Sequence, residues 1–293
     1  MSPKDHFPLW LRSGDAPLPE YVALLAGSGE YPQLCARRMQ ALGIQIHLVA
    51  LDEAFDKEFL DSFPFHSRTF LPIGHLGKIL KVLKKASVTH VISAGQIRPQ
   101  KLFQGLHLDL KAFCLLRKLR RKNAATIFGA IADEIEALGI HILDARSFME
   151  EDLAPKGIMT QASWELSSYV LEHGIHIAQE IANLDIGQGV VVCEGTVLCV
   201  ESFDGTDAML QYAGRFSAKP KLFVKSSKSA QDFRFDVPVF GMKTLEHMRQ
   251  SNILYAALEA ERTLILHKKN VLAKANEWGI QIYGYSTSQN FPS

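Results

Sequence analysis

A chain of 293 residues, 47% hydrophobic and 22% charged, is long enough for one large domain or two of ordinary size, with the apolar content to bury their cores. Its formal charge of +1 argues against bulk nucleic-acid binding, which needs a strongly basic face. Cys35, Cys114, Cys193 and Cys199 form no C-x-x-C pair and no zinc spacing, so they read as reduced core residues of a cytosolic protein, and no segment approaches the ~18–20 apolar residues of a membrane span.

Residues 1–20 mix proline, charge and glycine and are expected to form a loosely held tail. "YVALLAG" then reads as a strand, the Pro32–Gly43 segment as a helix and "IQIHLVAL" as a second strand. "RTFLPIG" follows as a third strand, "LGKILKVLKKAS" as a helix and "HVISAG" as a strand. Two helical stretches between about Leu108 and Gly139 lead to "IHILDA". This alternation predicts an α/β fold in which a Rossmann-like N-terminal domain with a parallel sheet spans residues 21–150. Periodicity fades in "SFMEEDLAPKGIMTQAS", so residues 151–165 are expected to be a linker. Beyond it a helix from about Trp164 to Asn183 and the strand-like runs "GVVVCEG" and "TVLCVES" predict a distinct α+β C-terminal domain over 166–293, without evident βαβ repetition.

Gly27, Ser28 and Gly29, after the first strand, could bring backbone amides to a phosphate, and Asp52 stands near the place of a ribose-binding acid. The third glycine of a dinucleotide fingerprint is missing, and Pro32 occupies its region. A tight βα turn explains the same residues, so an NAD(P)-dependent oxidoreductase and a non-catalytic nucleotide-sugar or lipid sensor stand as alternatives to any hydrolase. Gly95 and Arg98 in "SAGQIRPQK" lie where an open α/β sheet binds ligands, with a surface arginine as the plainer explanation. In "LDLKAFCLLRKLRRKN", apolar Phe113, Leu116 and Leu119 alternate with cations between Arg117 and Lys122. That pattern suits an anionic membrane or, more plainly, a solvated basic face.

The densest constellation comes later. Asp185 and Gln188 lie in "NLDIGQG", Glu194 in "VVCEG", and Glu201, Asp204, Thr206 and Asp207 in "ESFDGTDAML". Thr206 has a structural explanation as the cap of a helix starting near Asp207. In "FVKSSKSAQDFRFDVPVFG" come Lys225, Lys228, Asp232, Arg234 and Asp236, and an extended strand would place Arg234 and Asp236 on one face. Carboxylates bind hard Mg²⁺, and Lys and Arg neutralise phosphate oxygens, so the group suits metal-assisted attack of water on phosphorus. A surface salt-bridge network is the competing explanation.

These blocks resemble the LpxI type of UDP-2,3-diacylglucosamine diphosphatase: "LDIGQGVVVCEGTVLCVESFDGTDAML" and "LFVKSSKSAQDFRFDVPVFG", with "LLAGSGEYP", "IGHLGKILKVLKK" and "SAGQIRP" before them in order. The resemblance covers roughly residues 21–290. It implies Mg²⁺-dependent hydrolysis, with Mn²⁺ as the substitute ion, of UDP-2,3-diacylglucosamine to UMP and 2,3-diacylglucosamine 1-phosphate in lipid A biosynthesis. It implies a catalytically essential aspartate at Asp236, with Asp207 matching the family's G-T-D block. On this basis Asp236, Asp207, Arg234 and Lys225 are expected to be catalytic. Gly27, Ser28, Gly29, Gly95, Arg98, Gln188, Thr206 and Lys228 are expected to bind substrate, and Asp236, Asp207 and Glu194 to hold metal. The expected place is the cytoplasm, peripherally on the inner membrane, with a homodimer as the assembly allowed for. The chain departs from the family's usual pattern at Gln96 and Asp204, and near Ala125 it lacks an aspartate the family often carries.

Overall fold

The computed structural model describes residues 18–51, 55–96, 108–120 and 123–286, leaving aside the side chains of 124 and 125. The N-terminal stretch 1–17, Asp52, Arg98 and Lys122 therefore lie outside the described residues. The chain divides into two units: residues 1–150 with 232–236, and residues 151–231 with 237–293.

The first unit is built on five parallel strands: β1 (Tyr21–Ala26), β2 (Gln45–Ala50), β3 (Arg68–Phe70), β4 (His90–Ala94) and β5 (His141–Ile142), in spatial order β3-β2-β1-β4-β5. Between them run α1 (Tyr31–Ala41), α2 (Lys57–Asp61), α3 (Leu76–Ala86), α4 (Leu110–Lys118) and α5 (Ala124–Glu136). The strands read as unbroken apolar runs because both faces are covered: Ala23, Leu25 and Val49 pack with α3, α4 and α5, while the alternate residues Val22, Leu24 and Leu48 are buried on the other face. Asp109 fixes two helices at once, accepting from Ala112 N (2.9 Å) at the start of α4 and from Gly77 N (2.6 Å) at the start of α3.

The second unit holds a six-stranded mixed sheet in spatial order β6-β13-β11-β9-β7-β8. Its strands are β6 (Gly157–Ile158), β7 (Gly189–Cys193), β8 (Thr196–Val200), β9 (Lys221–Lys225), β11 (Tyr255–Glu259) and β13 (Gln281–Tyr285), while β10 (Val239–Phe240) and β12 (Leu264–Ile265) pair separately. Around them lie α6 (Ser168–Asn183), α7 (Gly205–Ala213), α8 (Met242–Gln250) and α9 (Lys268–Glu277). Strands β9, β11 and β13 are parallel, with α8 and α9 in the two crossovers. The second half is thus built from βαβ units that the sequence pattern did not reveal, with the β7–β8 hairpin antiparallel along one side. Phe223 of β9 packs with α7, α8 and α9, while Leu222 and Val224 face α6, so this sheet too is covered on both sides.

Three local expectations change. The stretch 151–165 is built into the second unit: β6 pairs antiparallel with β13, and a Cβ on Gly284 would lie 1.7 Å from the Pro155 carbonyl oxygen, so only glycine admits the approach. Helix α6 begins at Ser168 rather than Trp164, because Ser167 caps it and Trp164 packs against Tyr255 and Tyr283. Cys114 is exposed on α4, while Cys35 and Cys193 are buried; burial pushes the Cys35 thiol up to about 12.

Candidate functional site

In both units polar residues gather at the carboxyl ends of parallel strands, where open α/β sheets bind ligands. In the first unit the strand order reverses between β1 and β4, and the two loops at that point are tied together by backbone. Gly27 N donates to Ala94 O (2.8 Å), and Ser28 and Gln96 exchange both hydrogen bonds (3.1 and 2.9 Å). The amides of Gly27 and Ser28 are therefore spent on the neighbouring loop, which leaves a cofactor's pyrophosphate without them. Gly95, at φ +90°, is required for that contact, since a Cβ there would lie 2.8 Å from Ser28 O and 2.7 Å from the Pro32 ring. Gly29, at φ +98°, has open space in front of it.

The segment 232–236 joins this first unit although the sequence places it far downstream. It is a turn and not an extended strand: Phe235 N and Asp236 N both point to Asp232 O (3.4 Å each). Arg234 is buried and engaged by carboxylates, donating to Asp232 through Nε (2.9 Å) and an Nη (2.8 Å) and to Glu136 of α5 (3.1 Å). Burial works against its charge, but Asp232 and Glu136 outweigh that and hold its pKa above the ordinary value. Phe235 stacks on Phe128 of α5 with ring centroids 5.4 Å apart. Phe233 O accepts from Ala145 N (2.7 Å), and the Arg146 guanidinium lies 3.7 Å from the centre of the Phe233 ring, itself held by Asp144. Tyr31, at the start of α1, donates to the Ala145 carbonyl and is fully committed to burial, which raises its pKa. Arg234 is thus a fastener, and the residue that the clamped turn presents to solvent is Asp236.

The second unit gathers its polar residues differently. The strand register sets Gly189 beside Lys225, Lys225 beside Leu258, and Glu259 beside Tyr285, so "DIGQG", "ESFDGTD", "KSSK" and Glu259 meet at one sheet edge. Glu201 N donates to Gly189 O (2.7 Å) and Ser226 N to Gln188 O (2.8 Å). A Cβ on Gly187 would lie 2.2 Å from the Glu201 carbonyl oxygen, and one on Gly189 would lie 2.7 Å from its Oε2, so the two glycines let these loops touch. Thr206 does not cap its helix, which starts at Gly205. Its hydroxyl donates to Glu201 Oε1 (2.9 Å) and accepts from Lys225 Nζ (3.2 Å). Lys225 is buried, 3.6 Å from Glu201 Oε2, an oxygen with no hydrogen-bond partner of its own. Lys228 pairs with Asp185 at the rim.

Beneath this edge Glu259, 2% exposed, accepts from Ser227 N (2.7 Å) and Ser227 Oγ (2.6 Å) and is ion-paired with Arg262 (3.0 Å), whose Nε donates to Ser227 Oγ (2.7 Å) and whose Nη donates to Lys228 O (2.8 Å). Tyr285 donates to Lys225 O (3.1 Å). These three residues hold the "KSSK" loop, and sequence reasoning did not single them out. The available signal was a charge or hydroxyl closing an apolar run, as in "YAALE" and "QIYGY". A groove of about 450 Å³ opens along β8 and α7, lined by Cys199, Val200, Ser202, Met209, Tyr212 and Arg215 among others.

The expected metal trio is not assembled. Glu194 sits in the β7–β8 turn, next to Cys193, which pairs with Lys221; Lys225 closes the other end of β9. Asp207 lies beyond the far end of β8, roughly 15 Å of strand away from Glu194. It turns toward α8, where Lys243 binds it at 2.6 Å and His247 lies at 3.9 Å. Asp236 belongs to the other unit. Among the described residues no group of three His, Cys, Asp or Glu could hold a metal ion, so this donor set does not fit a protein-built Mg²⁺ site.

Residues 21–152 match the LpxI N-terminal domain family, and residues 155–283 match the LpxI C-terminal domain family. A UDP-2,3-diacylglucosamine pyrophosphatase LpxI of Caulobacter vibrioides is 31% identical over 276 residues, covering 90% of this chain and 96% of that protein. With both of its units matched and nearly the whole length of the relative covered, the chain belongs to the LpxI family.

Proposed function

We propose that this protein hydrolyses the diphosphate of UDP-2,3-diacylglucosamine, releasing UMP and 2,3-diacylglucosamine 1-phosphate for lipid A biosynthesis. The observation that carries the proposal is the match, over 90% of this chain, to a relative whose name states that substrate. Water attacks the sugar-side phosphorus, a new P–O bond forms, the P–O bond to the bridging oxygen breaks, and that oxygen leaves with UMP. Asp236, exposed at the end of the clamped turn, orients the water and takes its proton. Lys225, Lys228 and the Thr206 hydroxyl neutralise phosphate oxygens at the second unit's edge. The groove along β8 offers apolar cover from Val200, Met209 and Tyr212 for an acyl chain.

Mg²⁺, the expected cofactor, would supply charge neutralisation at the diphosphate. Cytoplasmic residence on the inner membrane belongs to the same proposal; among the described residues no helix is long and apolar enough to cross a membrane. The test is UMP release from UDP-2,3-diacylglucosamine in ¹⁸O-water, with Mg²⁺ and with EDTA. The expected result is UMP only with the metal present and the label in the sugar phosphate. Label in UMP would place the attack on the other phosphorus, and folded protein that releases no UMP would overturn the assignment.

A further inference from the structure

Helix α4 buries Ala112, Leu115 and Leu116 and turns the opposite face outward, where Leu110 is 79% and Phe113 52% exposed. Leu110, Phe113, Cys114 and Arg117 follow the i, i+3, i+4, i+7 spacing of one helical face, so the exposed apolar residues form a ridge that ends in cations at Arg117 and Lys118. The neighbouring α3 packs beside it through Gly77, where a Cβ would lie 3.0 Å from Asp109 Oδ2 and 3.3 Å from Lys111 Cβ. Its solvent side carries Lys78, Lys81, Lys84 and Lys85, all exposed.

The two helices contain seven Lys and Arg and no Asp or Glu, whereas the whole chain has 32 basic against 31 acidic residues. Of the seven, Lys111 is paired with Glu134 of α5 at 2.6 Å, which pins α4 in place. Among the described residues the other six are in no ion pair. An apolar ridge bordered by unneutralised cations is how an interfacial helix meets anionic headgroups, its apolar side chains entering the acyl boundary and its cations at the phosphates.

We infer that the outer surface of α3 and α4 docks on an anionic lipid bilayer, with Leu110 and Phe113 inserted and Lys78, Lys81, Lys84, Lys85, Arg117 and Lys118 on the headgroups. A second copy of this chain or a nucleic acid could meet the cations. An exposed leucine and phenylalanine beside them fit lipid better than a phosphate backbone, and a self-interface would set six cations against six.

The test is flotation of the full chain, without substrate, with vesicles of phosphatidylcholine alone and of phosphatidylcholine mixed with phosphatidylglycerol. Binding is expected only to the mixed vesicles and should weaken as salt rises. Leu110→Ser with Phe113→Ser should abolish it, and Lys81→Gln with Lys84→Gln should weaken it about fivefold per cation removed. Both variants should keep the circular dichroism of the parent and its UMP release from detergent-dispersed substrate, so failure at vesicles is separable from failure of the proposed reaction. No flotation, equal flotation with neutral vesicles, or flotation untouched by the Leu110/Phe113 change would overturn the inference. So would sedimentation showing that this change splits a dimer.

Discussion

The carboxyl edges of the two sheets are closed by opposite means. In the first unit the loops at the strand-order reversal are joined by main-chain hydrogen bonds, Gly27 to Ala94 and Ser28 to Gln96, and the turn 232–236 is buckled on by Arg234, Phe235 and the Ala145 amide. In the second unit the edge is lined by charged side chains, Lys225 against Glu201 and Thr206, with Glu259 and Arg262 beneath. One edge is tied by backbone hydrogen bonds and presents Asp236 to solvent, and the other is a set of paired charges able to change partners. A phosphate can compete for Lys225 and Lys228 because a carboxylate already holds each of them. It cannot compete as readily for an amide locked into a β-bridge.

The largest effect should come from Asp236, the acid that the clamped turn presents. Asp236 is exposed and outside any core, so Asp236→Ala should leave the melting temperature within a degree or two while lowering kcat by about 10³-fold or more. Substrate binding should persist. Near-normal turnover of the variant would move the chemistry away from the first unit.

Next comes the lysine on the charged edge. Lys225→Met should lower kcat by about 10²-fold, the usual loss when one preorganised donor to a developing oxyanion is removed. It should also cost about 1–3 kcal/mol of stability, because Glu201 would keep a buried carboxylate with only Thr206 against it. Adding Glu201→Gln should restore stability without restoring rate. If the double variant regains the rate as well, Lys225 serves only to neutralise Glu201.

The fastener should show the reverse balance. Arg234→Met removes three donors from Asp232 and Glu136, and both carboxylates are partly solvated, so a loss of about 2–3 kcal/mol is expected rather than the larger cost of a fully buried pair. The effect on rate should follow the looseness of the turn and recover when the protein is cooled. A full loss of activity at unchanged stability would mean that Arg234 leaves its two carboxylates to meet phosphate.

The first unit was legible because parallel strands covered on both faces read as plain apolar runs, "YVALLA" and "HLVAL" among them. The second sheet was not. Its central strands begin or end on buried charges, Lys221, Lys225 and Glu259, and polar residues at the ends of five-residue runs erase the pattern. Lys221 tolerates burial because its ammonium donates to the Ala213 and Ser251 carbonyls (2.9 and 3.0 Å). The alternation in "RFDV" suggested a strand, yet Phe128, Phe233 and Ala145 fold it into a turn, contacts that arise only across about a hundred residues of sequence. Among the site residues, Thr206, Lys225, Lys228 and Gln188 come together at one edge, Glu194 and Asp207 lie apart, and Arg98 falls outside the described residues.

The smallest expected effect separates the two units by pH. His47 on β2 and His90 on β4 have pKa values below the ordinary 6.5, His47 through burial and then His66, His90 through burial and then His141. Tyr21 and Thr69 bond the two ring nitrogens of His47, which suits a neutral ring (3.1 and 3.4 Å). Below 6.5 the unfolded chain takes up protons that the folded first unit refuses, so stability is complete above that pH and is lost as pH falls toward the folded pKa values. Amide protection in β1, β2 and β4, corrected for intrinsic exchange, should therefore fall between pH 7 and pH 5 more than protection in β9 and β11. His47→Gln should flatten part of that slope, because a neutral amide keeps a donor and an acceptor without a titration. Equal losses in both sheets, or a slope that His47→Gln leaves unchanged, would mean that acid acts through charges shared by the two units rather than through the imidazoles under the first one.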